Sequence, residues 1–163
     1  MSDRDEHGRV RRKLMVIADD TSEAPSAALF AGLRAARSGA GVVILHVIER
    51  QAFAHWMGVG VEMRREALDG ARMQASALAT LIEEEAGLVP ELLIEEGEPL
   101  EVIRKVVRDD PAIKVLVLAS ATGRGGPGPL VSALAKGRFG MDRPLAVTVV
   151  PGGLEVQQVK DMV

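Results

Sequence analysis

Two stretches of this chain carry residue types suited to chemistry. They are the acidic pair Asp19-Asp20 in "VIADDTSE" and the glycine-rich run "LASATGRGGPGPLVSAL" at 118–134. Adjacent carboxylates after an apolar run are hard oxygen donors of the kind that bind magnesium. They serve equally as a helix entry, with one carboxylate facing the positive end of the helix dipole and the other in solvent. The second stretch passes from an apolar strand into a bend and then a helix, the layout in which backbone N–H groups hold phosphate. It contains neither GxxxxGK[ST] nor GxGxxG, so the P-loop lysine and the dinucleotide fingerprint are both absent. Pro127 and Pro129 lack N–H donors. Pro129 nevertheless suits the first turn of a helix, leaving the N–H groups of Val131, Ser132 and Ala133 near the loop and open to an anion.

Other candidates weaken on inspection. A magnesium-dependent receiver domain needs a phosphoacceptor Asp ending its third strand and a Lys ending its fifth, whereas those ends read "IEEGEP" and "TVVPGG". His46 sits inside the apolar run "ILHVI", where a buried imidazole is expected rather than a base. His7 lies in a polar tail, and His55 neighbours Trp56 in "HWMGVG". The charge run at 83–85 reads as a solvated helix face. No Ser-His-Asp triad, paired-carboxylate hydrolase site or metal cage is visible. No catalytic or metal-ligating residue is therefore assigned, and the chain is not expected to be an enzyme.

The elements that must position these residues follow from hydrophobic patterning. "KLMVIA" (13–18) and "VVILHVIE" (42–49) are continuous apolar runs, the pattern of strands buried on both faces. Between them lies a helix with Ser22 or Thr21 as N-cap, Leu29, Leu33 and Ala36 at helical spacing, and Gly39 as its stop. Residues 50–62 have no clear period and read as a loop. Leu68, Ala71, Ala75, Leu78 and Ile82 define a helix over 62–86 that ends at Gly87. "ELLIEE" is the third strand, Leu100 to Arg108 a helix, 114–119 the fourth strand and 146–150 the fifth. Strands alternating with helices predict a three-layer α/β/α fold around a five-stranded parallel sheet. Ligands in such sheets sit at the carboxyl ends of the strands. That rule draws together Asp19 and Asp20, Val47 to Glu49, and the glycine loop.

Composition narrows the classes further. At 163 residues one domain is expected, with a polar tail at 1–12 and a C-terminal extension at 153–163 flanking a domain at 13–152. Aromatics make up only 2% of the chain, so aliphatic side chains must build the core, as suits helices on a sheet better than an aromatic-rich sandwich. The absence of Cys removes disulfides and thiolate chemistry and fits a cytoplasmic location. No apolar run approaches the roughly 18 residues of a membrane helix. A net charge of −3 argues against a nucleic-acid surface. The apolar last strand, "LAVTVVPG", is expected at a sheet edge, where pairing with a second copy would give a homodimer.

Taken in order, "VIADDTSE", "VVILHVIE", "EEGEPLEVI", "VLVLASATGRGG" and "VTVVPG" resemble the universal stress protein family over Lys13 to Gly152. The resemblance implies an adenine nucleotide α-hydrolase-like topology and dimerisation through the last strand. It also implies a choice between a branch that binds ATP and one that does not. In the ATP-binding branch the adenosine contacts fall on Ala18, Asp20 and Val47. The phosphate motif falls on Gly123, continued by Arg124, Gly125 and Gly126. The motif is incomplete: Ser120 stands where its first glycine belongs, and Ala133-Leu134 stand where Gly-Ser is expected. A loop two residues tighter would put Val131 and Ser132 there instead, and both registers stay open. The expectation is a small stress-response binding or regulatory module, taking ATP or another adenine nucleotide, with magnesium only alongside nucleotide. The sequence does not identify a protein partner beyond the second copy. Two alternatives stand beside it: a dimeric interaction protein that binds no nucleotide, and a weak magnesium-dependent ATP hydrolase using Asp19 or Asp20.

Overall fold

Val16, Val43, Ile44, Leu45 and Val117 are fully buried because the strands that carry them are apolar on both faces and sit inside the sheet. The computed structural model describes Gly8 and residues 10–19, 21–49 and 61–163. In chain order its elements are β1 (Lys13–Ala18), α1 (Ala24–Ser38), β2 (Gly41–Glu49), α2 (Val61–Ala86) and β3 (Glu91–Gly97). There follow α3 (Pro99–Asp109), β4 (Ile113–Ser120), α4 (Pro129–Ala135), β5 (Ala146–Pro151) and α5 (Val156–Met162). The five strands run parallel in the order β3-β2-β1-β4-β5. The register places Ala18 beside His46, Val47 beside Glu95 and Ser120 beside Pro151.

Alternating residues of each inner strand serve two cores. Leu14, Val16, Ala18, Val42 and Ile44 pack under α1 and α2. Met15, Ile17, Val43, Leu45 and Leu116 pack under α3, with the apolar side chains of α4 against the same cluster. The α1 side is built from alanine, with Ala27, Ala28, Ala31 and Ala35 all fully buried, so the helix lies close to its neighbours. At Gly32 a Cβ would stand 2.8 Å from Cγ2 of the buried Ile82 on α2. Gly39 and Gly87 follow α1 and α2 with φ of 68° and 67°, the left-handed cap position that favours glycine.

One local reading changes. Glu23, not Ser22 or Thr21, precedes α1, and it makes no side-chain cap. Thr21 instead donates its amide (3.0 Å) and its hydroxyl to the carboxylate of Asp19, forming a local turn before the helix. Residues 153–163 continue into α5, which packs on α1. The Leu154 amide donates to Ser26 Oγ at 3.1 Å, Val159 is fully buried, and Lys160 pairs with Glu85 at 2.7 Å. Residues 50–60 of the expected loop lie outside the described residues, while Val61 and Glu62 already belong to α2.

Candidate functional site

The sheet order reverses at β1: β2 and β3 lie to one side of it and β4 and β5 to the other. Chain connections therefore diverge there and leave a crevice at the carboxyl ends of the strands. A cleft of about 640 Å³ occupies this position. Its apolar lining comes from Ile17 and Ala18 of β1, Val47 of β2, and Leu118 and Ala119 of β4, with Leu100 and Val102 of α3 opposite Leu130, Val131 and Ala133 of α4. That volume falls in the range of small-molecule sites.

Charge is distributed unevenly over the lining. Six carboxylates contribute to it: Asp19, Glu23, Glu49, Glu96, Glu98 and Glu101. Among the described lining residues Lys105 is the one cation, and its ammonium lies 3.2 Å from Asp109. Glu96 receives a two-pronged contact from Arg64 of α2, with Nη2 at 3.0 Å from both carboxylate oxygens. Glu98 precedes α3 and accepts the amides of Leu100 (3.2 Å) and Glu101 (2.9 Å), so its own carboxylate closes the helix start. Among the described residues no three His, Asp or Glu side chains stand close enough together to hold a metal ion.

The residues singled out in the sequence fall into three groups. Ala18, Val47 and Ala133 line the cleft. Ser120, Gly123, Arg124, Gly125, Gly126 and Ser132 are not among its lining residues. Asp20 lies outside the described residues. Ser120 ends β4, where its carbonyl accepts the Gly152 amide at 2.9 Å and its hydroxyl donates to the Ala121 carbonyl at 3.3 Å. Residues 122–127 form an exposed bend closed by the Ala121 amide donating to the Pro127 carbonyl at 3.2 Å. The Ser132 amide is spent on the Gly128 carbonyl at 3.0 Å. Within this bend the left-handed backbone occurs at Gly126 (φ 86°) and Gly128 (φ 101°), not at Gly123 or Gly125. His46 is buried in β2, as its apolar surroundings predicted.

The β3–α3 turn supplies a wall that sequence reasoning did not assign to the site. Glu96 to Val102 and Lys105 all line the cleft. Gly97 allows this sharp exit from β3, with φ of 152° and only 2.9 Å between an added Cβ and Cγ2 of Val102. The available signal was "EEGEPLEVI", a glycine between acidic residues at a strand end followed by a proline-led helix.

The geometry has counterparts among known proteins. A universal stress protein from Archaeoglobus fulgidus matches with a TM-score of 0.63 and 17% identity, covering 86% of this chain and 96% of that one. The same organism's universal stress protein in complex with dAMP matches at 0.58 and 16%, covering 84% and 96%. A universal stress protein in complex with cAMP matches at 0.56 and 18%, covering 88% and 98%. At such identities the likeness establishes the fold. No curated protein matches the sequence. The model of the universal stress protein family, however, matches residues 11–132, three quarters of the chain, and the chain belongs to that family.

Proposed function

We propose that this protein is a non-catalytic binding module of the stress response whose cleft takes the adenosine portion of an adenine nucleotide or nucleoside. One observation carries the reading: a cleft of about 640 Å³ opens at the switch point of the sheet, with Ala18 and Val47 on its apolar lining. Two relatives of the same fold are in complex with cAMP and dAMP, which supports an adenine compound here. Aliphatic contacts from Ile17, Val47 and Leu118 suit a purine ring, and polar groups at the strand ends suit a ribose. The proposal includes a cytoplasmic location and a homodimer formed through the outer edge of β5.

A second reading rests on the exposed glycine bend and on Glu98 closing α3, neither of which offers a phosphate grip. In that reading the molecule is a dimeric interaction protein with no nucleotide. Calorimetric titration with adenosine, cyclic AMP, AMP and ATP separates the two. Micromolar affinity for at least one of them is expected, with a loss of about tenfold or more in Val47→Arg while circular dichroism stays unchanged. Absence of binding by every compound would leave the interaction reading standing. Release of phosphate from ATP, dependent on magnesium and lost in Asp19→Asn or Asp20→Asn, would instead establish a hydrolase.

A further inference from the structure

We infer that the cleft selects its occupant by low charge, taking a neutral or singly charged adenine compound and discriminating against the di- and triphosphates. This rests on the adenine-binding reading above. Volume and apolar lining make the site; the surrounding carboxylates decide which adenine compound enters it.

Among the described residues, the amides at the start of α3 and the one cation of the cleft already have partners. The α3 amides of Leu100 and Glu101 are taken by the Glu98 carboxylate. The ammonium of Lys105 is beside Asp109. Arg124 is exposed on the glycine bend and is not on the lining. Arg64 neutralises Glu96, and among the described lining residues this leaves Asp19, Glu23, Glu49, Glu98 and Glu101 to set the sign of the field. In a cleft of about 640 Å³ an occupant lies within roughly one Debye length of most of these carboxylates, about 10 Å at 0.1 M salt. Repulsion therefore grows with each negative charge on the ligand. The carboxylates are also spread round the cleft rather than gathered. No three described acidic or His side chains form a metal cage.

The test is calorimetric titration of the full chain with adenosine, cyclic AMP, AMP and ATP at low and high ionic strength, the ATP series repeated with magnesium. At low salt, ATP should bind at least about tenfold more weakly than adenosine, with cyclic AMP between adenosine and AMP. Raising the salt should tighten AMP and ATP and leave adenosine nearly unchanged, the reverse of a phosphate-gripping site. The double variant Glu49→Gln/Glu101→Gln, both positions exposed, should narrow the gap between ATP and adenosine by about threefold or more. ATP or its magnesium complex binding as tightly as adenosine, and weakening with salt, would overturn the charge selection while leaving the adenine site intact. Failure of all four compounds to bind would remove the adenine site itself, and the selection with it.

Discussion

At the start of α3 the Glu98 carboxylate satisfies the two amides that an incoming anion would otherwise find. The same side chain thus holds the helix end and adds negative charge to the cleft. Replacing it with alanine frees both donors and removes the charge. Glu98→Ala should lower stability by about 1 kcal/mol, the usual worth of an N-cap, while raising AMP affinity relative to adenosine. Urea midpoints and calorimetry read the two effects separately; a fall in both would mean that Glu98 acts only as a structural cap. The glycine bend divides just as sharply. A Cβ at Gly123 meets no atom within 4 Å, and its backbone is outside the left-handed region, whereas Gly126 has φ of 86°. Gly126→Ala should cost about 1 kcal/mol in thermal denaturation, and Gly123→Ala should stay within about 0.5 kcal/mol of the parent. If Gly123→Ala weakened ligand binding without loss of stability, the bend would have to reach the ligand after all.

Among the elements, Lys13 ties the amino end of β1 to two neighbours. Its ammonium lies 2.8 Å from Glu91 at the start of β3 and 2.9 Å from Asp110 just after α3. Burial pulls its pKa down, but the hydrogen bonds and charges of Glu91 and Asp110 outweigh that and hold it above the ordinary lysine value. The folded chain therefore keeps this proton more tightly than the unfolded chain. The resulting stabilisation is full below the ordinary lysine pKa of about 10.4 and is lost as pH rises from there through the folded value. Between about pH 8 and about pH 11 the urea midpoint of the parent should fall further than that of Lys13→Met. Equal falls would show that the ion pairs contribute nothing. A tight junction of another kind joins β5 to α1: a Cβ at Gly152 would stand 2.6 Å from Glu23 Cβ and 2.9 Å from its backbone Cα. Gly152→Ala should cost about 2 kcal/mol through overpacking. These long-range fits explain what the sequence conveyed and what it did not. β1, β2, β4 and the long α2 were legible because uninterrupted apolar runs and a 3.6-residue period report local geometry directly. α5 was not, since its seven residues carry few apolar side chains and its approach depends on Ser26, 128 positions earlier. The acidic wall from the β3–α3 turn was hidden for a related reason. Glu96, Glu98 and Glu101 become neighbours of Ala18 and Ala133 only once the strand order is known.

For the whole molecule, the two outer strands of the sheet differ in how they meet solvent. β3 carries Glu91, Glu95 and Glu96 along its length, and charges on an edge strand oppose pairing with another chain. β5 reads "AVTVVP", without a charge, with Val149 38% exposed, and among the described residues it pairs only with β4. Its outer edge is the one suited to meet a second copy of itself, related by a two-fold axis that makes the contact self-complementary. Burying the exposed Val149 there adds apolar area to the backbone pairing. Light scattering at micromolar concentration should therefore give a dimer mass. Val149→Lys should shift it toward monomer by placing like charges against each other, whereas Leu92→Lys on β3, also exposed, should leave it unchanged. A monomer mass for the parent chain would overturn the dimer. A dimer broken by Leu92→Lys but not by Val149→Lys would move the interface to β3 and make the acidic edge, rather than the apolar one, the point of contact.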